Sequence, residues 1–204
     1  LQITGVFLNR TLLGEVEVHV EELARSGNFD RFEVTLIQGG KKVFRSFCTL
    51  SGKTGKTENL SGEQVSIPFV QEEDCIMMSR PGITPLYDSL NVLVDPLTGA
   101  WMSGSLKKPA HIRGWVRFKE PRNFDLAAAC MAVDCFPPAV FTSFGASAWV
   151  PSLEFTVFVT GNPDVDALWA DFKCNYCTEG ILQEDGIVTD GTGRIVAISR
   201  QTAV

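Results

Sequence analysis

The sequence predicts an α+β protein built from two copies of one curved antiparallel sheet, the second copy wrapped around a central helix. Two observations carry that expectation: a hydrophobic pattern that recurs after 152 positions, and one helix-forming segment that is apolar all round. At 204 residues, with 45% hydrophobic and 21% charged side chains, the chain can bury a sizeable core as one large domain or two small ones.

The repeat is read strand by strand. Leu1 to Phe7 alternates as a strand, and the displaced copy is Leu153 to Val159. Val16, Val18 and Val20 fall on Leu168, Ala170 and Phe172, and Leu36 falls on Val188. The turn at Gly39-Gly40 falls on Gly191-Thr192, where glycine supplies the positive φ of tight hairpins. Lys42-Val43-Phe44 then matches Arg194-Ile195-Val196, and Thr49 matches Gln201. Alternation and turn stay in step over about 50 residues, the mark of a duplicated four-strand unit. Residues 1–50 are therefore assigned to the first repeat and 111–204 to the second. The segment between them, 51–110, is expected to be an irregular connection. Its stretch from Ser51 to Thr57 is loop-like, and Pro81, Pro85 and Pro96 interrupt the remainder.

The second copy has extra elements in front. Ile112 to Phe118 reads as a strand centred on Trp115 and Val116. Asn123-Phe124-Asp125 opens a helix over 126–133; Asn123 can cap its first turn and Asp125 complements the positive end of its dipole. Because that helix is apolar on every side, it is expected to be buried all round, and Pro137-Pro138 stops it. Strand, buried helix and four antiparallel strands is the order of a hot-dog fold, so the whole is expected to be a double hot-dog. By the repeat, the first hot dog lacks its N-terminal strand and helix in this chain. About 40–70 residues before Leu1 are expected to supply them. Without a cover, the apolar faces of Val16, Val18, Val20 and Leu36 would lie open.

Several function classes are excluded. A net charge of −6 argues against general nucleic-acid binding, and no apolar run reaches the roughly 18–20 residues of a membrane span. Six cysteines scattered through apolar contexts fit a reduced, cytoplasmic protein, with a peroxisomal location also compatible. Cys174 and Cys177 have the spacing of half a zinc site. On a strand, positions i and i+3 point to opposite faces, so no metal is expected there, and no cofactor elsewhere. With only His19 and His111, and no serine in a nucleophile elbow, a Ser–His mechanism is disfavoured.

Asp134 is the most informative residue. It ends an apolar helix, where the dipole is negative, and Val133, Cys135 and Phe136 offer no counter-charge. Burial and dipole would both raise its pKa toward that of a general base working near neutral pH; the alternative is a solvated aspartate closing the helix. The run Ser199-Arg200-Gln201 poses a second question, because a strand rich in apolar residues passes straight into three polar ones.

The run Ala132-Val133-Asp134-Cys135-Phe136-Pro137-Pro138-Ala139 resembles the helix end of the TesB-like acyl-CoA thioesterases, which are double hot-dog proteins. Val150 to Thr156 is similar to that family's following strand, and Asp190 to Gln201 to its closing hairpin. The resemblance implies that an aspartate, a hydroxyl and a glutamine hold the water that attacks the thioester. Carried over by motif, these are Asp134, Ser152 and Gln201. Ser152 stands where threonine is commoner, Glu154 where an aspartate is often seen, and Phe155 where a histidine is. The substrate implied is an acyl-CoA or acyl-carrier thioester, and the protein is expected to form a homo-dimer. A backbone N–H is the simplest oxyanion donor, though no residue points to it. Coenzyme A is polyanionic, and Lys107, Lys108, Arg113, Arg117, Lys119 and Arg122 could meet its phosphates or form a charged sheet edge. Two other readings keep the fold. One is a dehydratase, isomerase or cyclase using Asp134 for proton transfer; the other is a non-catalytic acyl-binding protein.

Overall fold

In a computed structural model the structure describes residues 1–52, 70–78 and 85–204. The first half contributes β1 (Gln2–Phe7), β2 (Glu17–Arg25), β3 (Phe29–Gln38) and β4 (Lys41–Ser51). Then follow β5 (Ile76–Met77), α1 (Leu86–Ser89), β6 (Leu90–Val94), α2 (Pro96–Gly99) and β7 (Ala110–Phe118). Beyond these lie α3 (Leu126–Ala132), α4 (Phe141–Phe144), β8 (Ser152–Val159), β9 (Ala167–Thr178), β10 (Ile181–Thr189) and β11 (Ile195–Ala203). Among the described residues the strands form one sheet, ordered β2-β3-β4-β1-β8-β11-β10-β9-β7-β6-β5, in which every pairing is antiparallel.

The repeat is visible in that order. β1-β4-β3-β2 on one side mirrors β8-β11-β10-β9 on the other, and β1 pairs with β8 at the centre. In that central pair Thr4 lies opposite Thr156, its own counterpart 152 positions later, so a local two-fold axis runs through the two threonines. The Thr156 hydroxyl donates to the Thr4 hydroxyl across it, at 3.4 Å. The two copies therefore do not form separate sheets. They share an edge, which satisfies the backbone groups that two free edges would expose.

Pairing register corrects one detail of the repeat. Gln201 sits between Phe155 and Glu184, and the residue between their counterparts Ile3 and Phe32 is Cys48, not Thr49. The offset changes because the β10–β11 turn is one residue longer than the β3–β4 turn. The buried Asp190 carboxylate organises the longer turn by accepting from the Thr192 amide at 2.9 Å, the Thr192 hydroxyl at 2.6 Å and the Arg194 guanidinium at 2.8 Å.

The core belongs to the second half. α3 lies against β8 and β11, and Ala128, Ala129 and Ala132 are buried with Val157, Val159 and Ala197. Small residues on this face let helix and sheet approach closely. Within the sheet, the Phe172 ring lies over Gly186, where an added Cβ would come within 2.5 Å of it. The helix is not buried all round, however: Ala127 is exposed, while Cys130 and Met131 are half-buried. Its cap is Asp125, whose side chain accepts from the Ala128 amide at 2.8 Å. Asn123 instead donates to the Asp164 carboxylate at 3.0 Å.

The segment 51–110 is more than an irregular connection. Leu90 to Val94 forms β6, a buried strand paired with β7, and Pro96 occupies the first turn of α2 behind the Asp95 cap. The short apolar run Leu90-Asn91-Val92-Leu93-Val94 carried that signal, outweighed by the flanking prolines. The expectations for Lys53 to Thr57 and for Pro81 lie outside the described residues. A bulge in β9 also alters the cysteine argument. Cys174 lies opposite Glu184 and Cys177 opposite Leu182, so both meet residues of one face. Both are free thiols, and among the described residues no cluster of three metal-ligating side chains contains them. No helix among the described residues is long and apolar enough to cross a membrane.

Candidate active site

Three separate elements converge at the end of α3. The chain leaves the helix through Val133, and Asp134 follows at the mouth of a cavity of about 440 Å³. β11 alternates, so Ser199 and Gln201 face inward with the helix while Arg200 points outward to Asp185, 2.6 Å away. That resolves the polar run: Ser199 is buried, and Gln201 turns its amide into the cavity. Ser152 reaches the same side through a register shift. Thr202 pairs with Glu154 and Ala203 with Ser152, so the extra residue Leu153 rotates Ser152 toward Gln201.

The structure thus brings Asp134, Ser152 and Gln201 together. The Gln201 Nε2 donates to Asp134 Oδ1 at 3.3 Å and also donates to the Ser152 Oγ. An ionised carboxylate only accepts, so one amide group with two N–H bonds can orient both neighbours at once, while the Ser152 hydroxyl keeps its own proton to donate. Asp134 keeps exposed surface at the cavity mouth, but loss of water around its carboxyl pushes it up to about 6, and the Gln201 hydrogen bond pulls against that rise. The walls are largely apolar: Leu86, Tyr87, Trp101, Phe136, Phe141 and Trp149 surround the polar trio. Such a cavity suits an apolar ligand that carries a polar group.

One carboxylate in the cavity was not anticipated. Glu184, only 8% exposed, lies directly across the β10–β11 ladder from Gln201. Its Oε2 accepts the Ala139 amide at 2.6 Å. Burial pushes its carboxyl up to about 7; the Ala139 bond opposes this, and the Asp134 charge adds to it. In sequence Glu184 stands between the polar Gln183 and Asp185. The available signal was the alternation of Glu184 with Leu182 and Gly186, whose shared face is the inner one. Trp101 and Leu86 were likewise hidden in a segment expected to be a mere connection.

The basic residues behave mostly as structure. Arg113 pairs with the buried Asp95 at 2.6 Å, Arg117 with Glu72 at 3.0 Å and Arg122 with Asp125 at 3.1 Å. Lys119 donates to the Tyr87 carbonyl at 2.6 Å. Lys107 and Lys108 line a small hollow of about 140 Å³ beside His111 and Thr142.

A family model described as the acyl-CoA thioesterase C-terminal domain matches residues 64–204. A hot-dog-fold protein of unknown function from Alicyclobacillus acidocaldarius superposes with a TM-score of 0.85 at 18% identity, over 100% of this chain and 77% of that one. The acyl-CoA thioesterase II TesB2 of Mycobacterium marinum gives 0.73 at 16% identity, over 100% and 78%. The tesB protein of Mycobacterium avium subspecies paratuberculosis gives 0.69 at 14%, over 99% and 76%. At these identities the likeness establishes the hot-dog fold. No curated protein matches the chain by sequence.

Proposed function

The chain belongs to the acyl-CoA thioesterase family, and from that premise we propose that it hydrolyses acyl-CoA through a water activated by Asp134 and held by Ser152 and Gln201. The observation that carries this reading is the double donation of the Gln201 amide to Asp134 and Ser152 on the wall of an apolar cavity. Asp134 takes a proton from water as the water oxygen bonds to the thioester carbonyl carbon. The tetrahedral oxyanion collapses, breaking the C–S bond, and the proton on Asp134 passes to the departing thiolate. A thioester is electrophilic enough that a positioned water suffices without a covalent intermediate.

The test is release of free thiol from a panel of acyl-CoAs, run beside Asp134→Asn. Hydrolysis by the parent and its loss in the variant support the reading; product isomers without free thiol would assign the site to isomerisation instead. The repeat extends the proposal: one active site per chain, in the second half. Two copies of the chain associate as a dimer. Sedimentation mass and titration of sites with a tight acyl analogue check both statements.

A further inference from the structure

The residue across from Gln201 also holds the loop that carries Asp134. Glu184 and Gln201 are direct partners in the β10–β11 ladder, which puts their side chains on one face as nearest neighbours. From that position the Glu184 Oε2 accepts the Ala139 amide at 2.6 Å, a short, buried bond. Ala139 closes the run that starts at Asp134 and passes through Cys135, Phe136 and Pro137-Pro138. Two consecutive prolines donate no backbone hydrogen bonds. The run otherwise docks through apolar packing, with Cys135 and Ala139 buried and the Phe136 ring against Phe172 at 5.6 Å, so the Ala139 bond is the polar contact that sets its register on β10. The strand that carries Glu184 and the strand that carries Gln201 are thereby tied to the same loop at both ends, by Ala139 and by Asp134.

The geometry points to Glu184 as a positioning residue that fixes the distance from Asp134 to Gln201 by clamping residues 134–139 to β10. The proposal rests on the reading of Asp134 and Gln201 given above. Glu184 needs to accept one hydrogen bond for this role and needs no charge. Glutamine has the same reach and an acceptor oxygen, whereas alanine has neither.

The experiment compares wild type, Glu184→Ala and Glu184→Gln on one acyl-CoA, with amide hydrogen exchange of the same proteins. A displacement of about 1 Å at a catalytic group costs up to roughly 100-fold, so Glu184→Ala is expected to lower kcat about 10- to 100-fold with KM within about twofold. Glu184→Gln is expected to restore kcat to within about threefold of wild type, because the acceptor returns. Exchange at 134–139 speeds up in Glu184→Ala and returns toward wild type in Glu184→Gln, while exchange in β8 and β11 stays put. An unchanged kcat in Glu184→Ala, or a glutamine variant as slow as alanine, overturns the positioning role. So does a rise in KM with kcat kept, which would make Glu184 a substrate contact. Exchange at 134–139 that does not respond overturns the clamp whatever the substrate is. If no acyl-CoA is hydrolysed by wild type, the hydrolysis reading fails, and the exchange comparison still decides the clamp.

Discussion

The two halves of the sheet share a backbone and differ in almost everything that chemistry needs. Val18 and Val20 in β2 occupy the places of Ala170 and Phe172 in β9, yet the valines are each 62% exposed and their counterparts 0% and 2%. At the site itself, Gln201 corresponds to Cys48 and Glu184 to Phe32. The alternating pattern sets which face of each strand is apolar, and it did so equally in both copies. What separates them is the cover on the second copy: α3 packs on β8 and β11, and the loop after it lays Phe136 on Phe172 and brings Asp134 to Gln201. A strand pattern therefore specifies a face, while burial and reactivity come from what lies on that face.

That contrast can be broken most severely at Asp134. On the proposed mechanism Asp134→Asn keeps shape and removes the base, so turnover is expected to fall by about 10²–10⁴, the usual worth of general-base catalysis. Cys48→Gln, the matching change in the first half, should leave the rate where it was. Residual activity above about a tenth of the parent rate in the asparagine variant would move the base elsewhere.

Stability offers the next largest contrast. Phe172→Ala should cost about 3–5 kcal/mol by opening a cavity between Phe136 and Gly186. On the 1–204 chain, Val20→Ala should stay within about 0.5 kcal/mol, as for any exposed side chain. Denaturant unfolding of both variants decides it; a large cost at Val20 would mean that its face is covered in solution.

Ser152→Ala and Gln201→Ala should each slow the reaction, and the double variant should lose far less than the product of the two. Groups that orient one water act as a unit. Multiplicative losses in single-turnover rates would assign them separate roles.

The smallest effect is on pH. Asp134 is raised from its ordinary value of 3.8 to about 6. Activity should therefore fall as pH drops through about 6 and the base takes up its proton. The sign for stability is the opposite. The folded state binds that proton more tightly than the unfolded chain, so stability is lost as pH climbs from about 4 to about 6. Asp134→Asn should accordingly melt higher than wild type at pH 8 and lose that advantage at pH 4. A variant no more stable at pH 8 would show that the Asp134 charge carries no desolvation cost.

Period-two alternation and glycine turns are local properties, and they were enough to reveal the repeat, its four strands and their order along the chain. Motif resemblance pointed to Asp134, Ser152 and Gln201, and the apolar helix before Asp134 gave a physical reason for its raised pKa. The remaining features depend on contacts between distant segments. The register shift at Leu153 turned Ser152 toward Gln201, and the bulge in β9 set Cys174 and Cys177 opposite residues of one face. A one-residue change in register reverses which side a strand residue faces, and register is decided by partners and turn length, not by the strand's own composition. Glu184 shows the same limit. Its neighbours in sequence are polar, but its neighbours in space are Ala139, Gln201 and the cavity, and only pairing β10 with β11 beneath the loop that follows α3 made it a buried carboxylate.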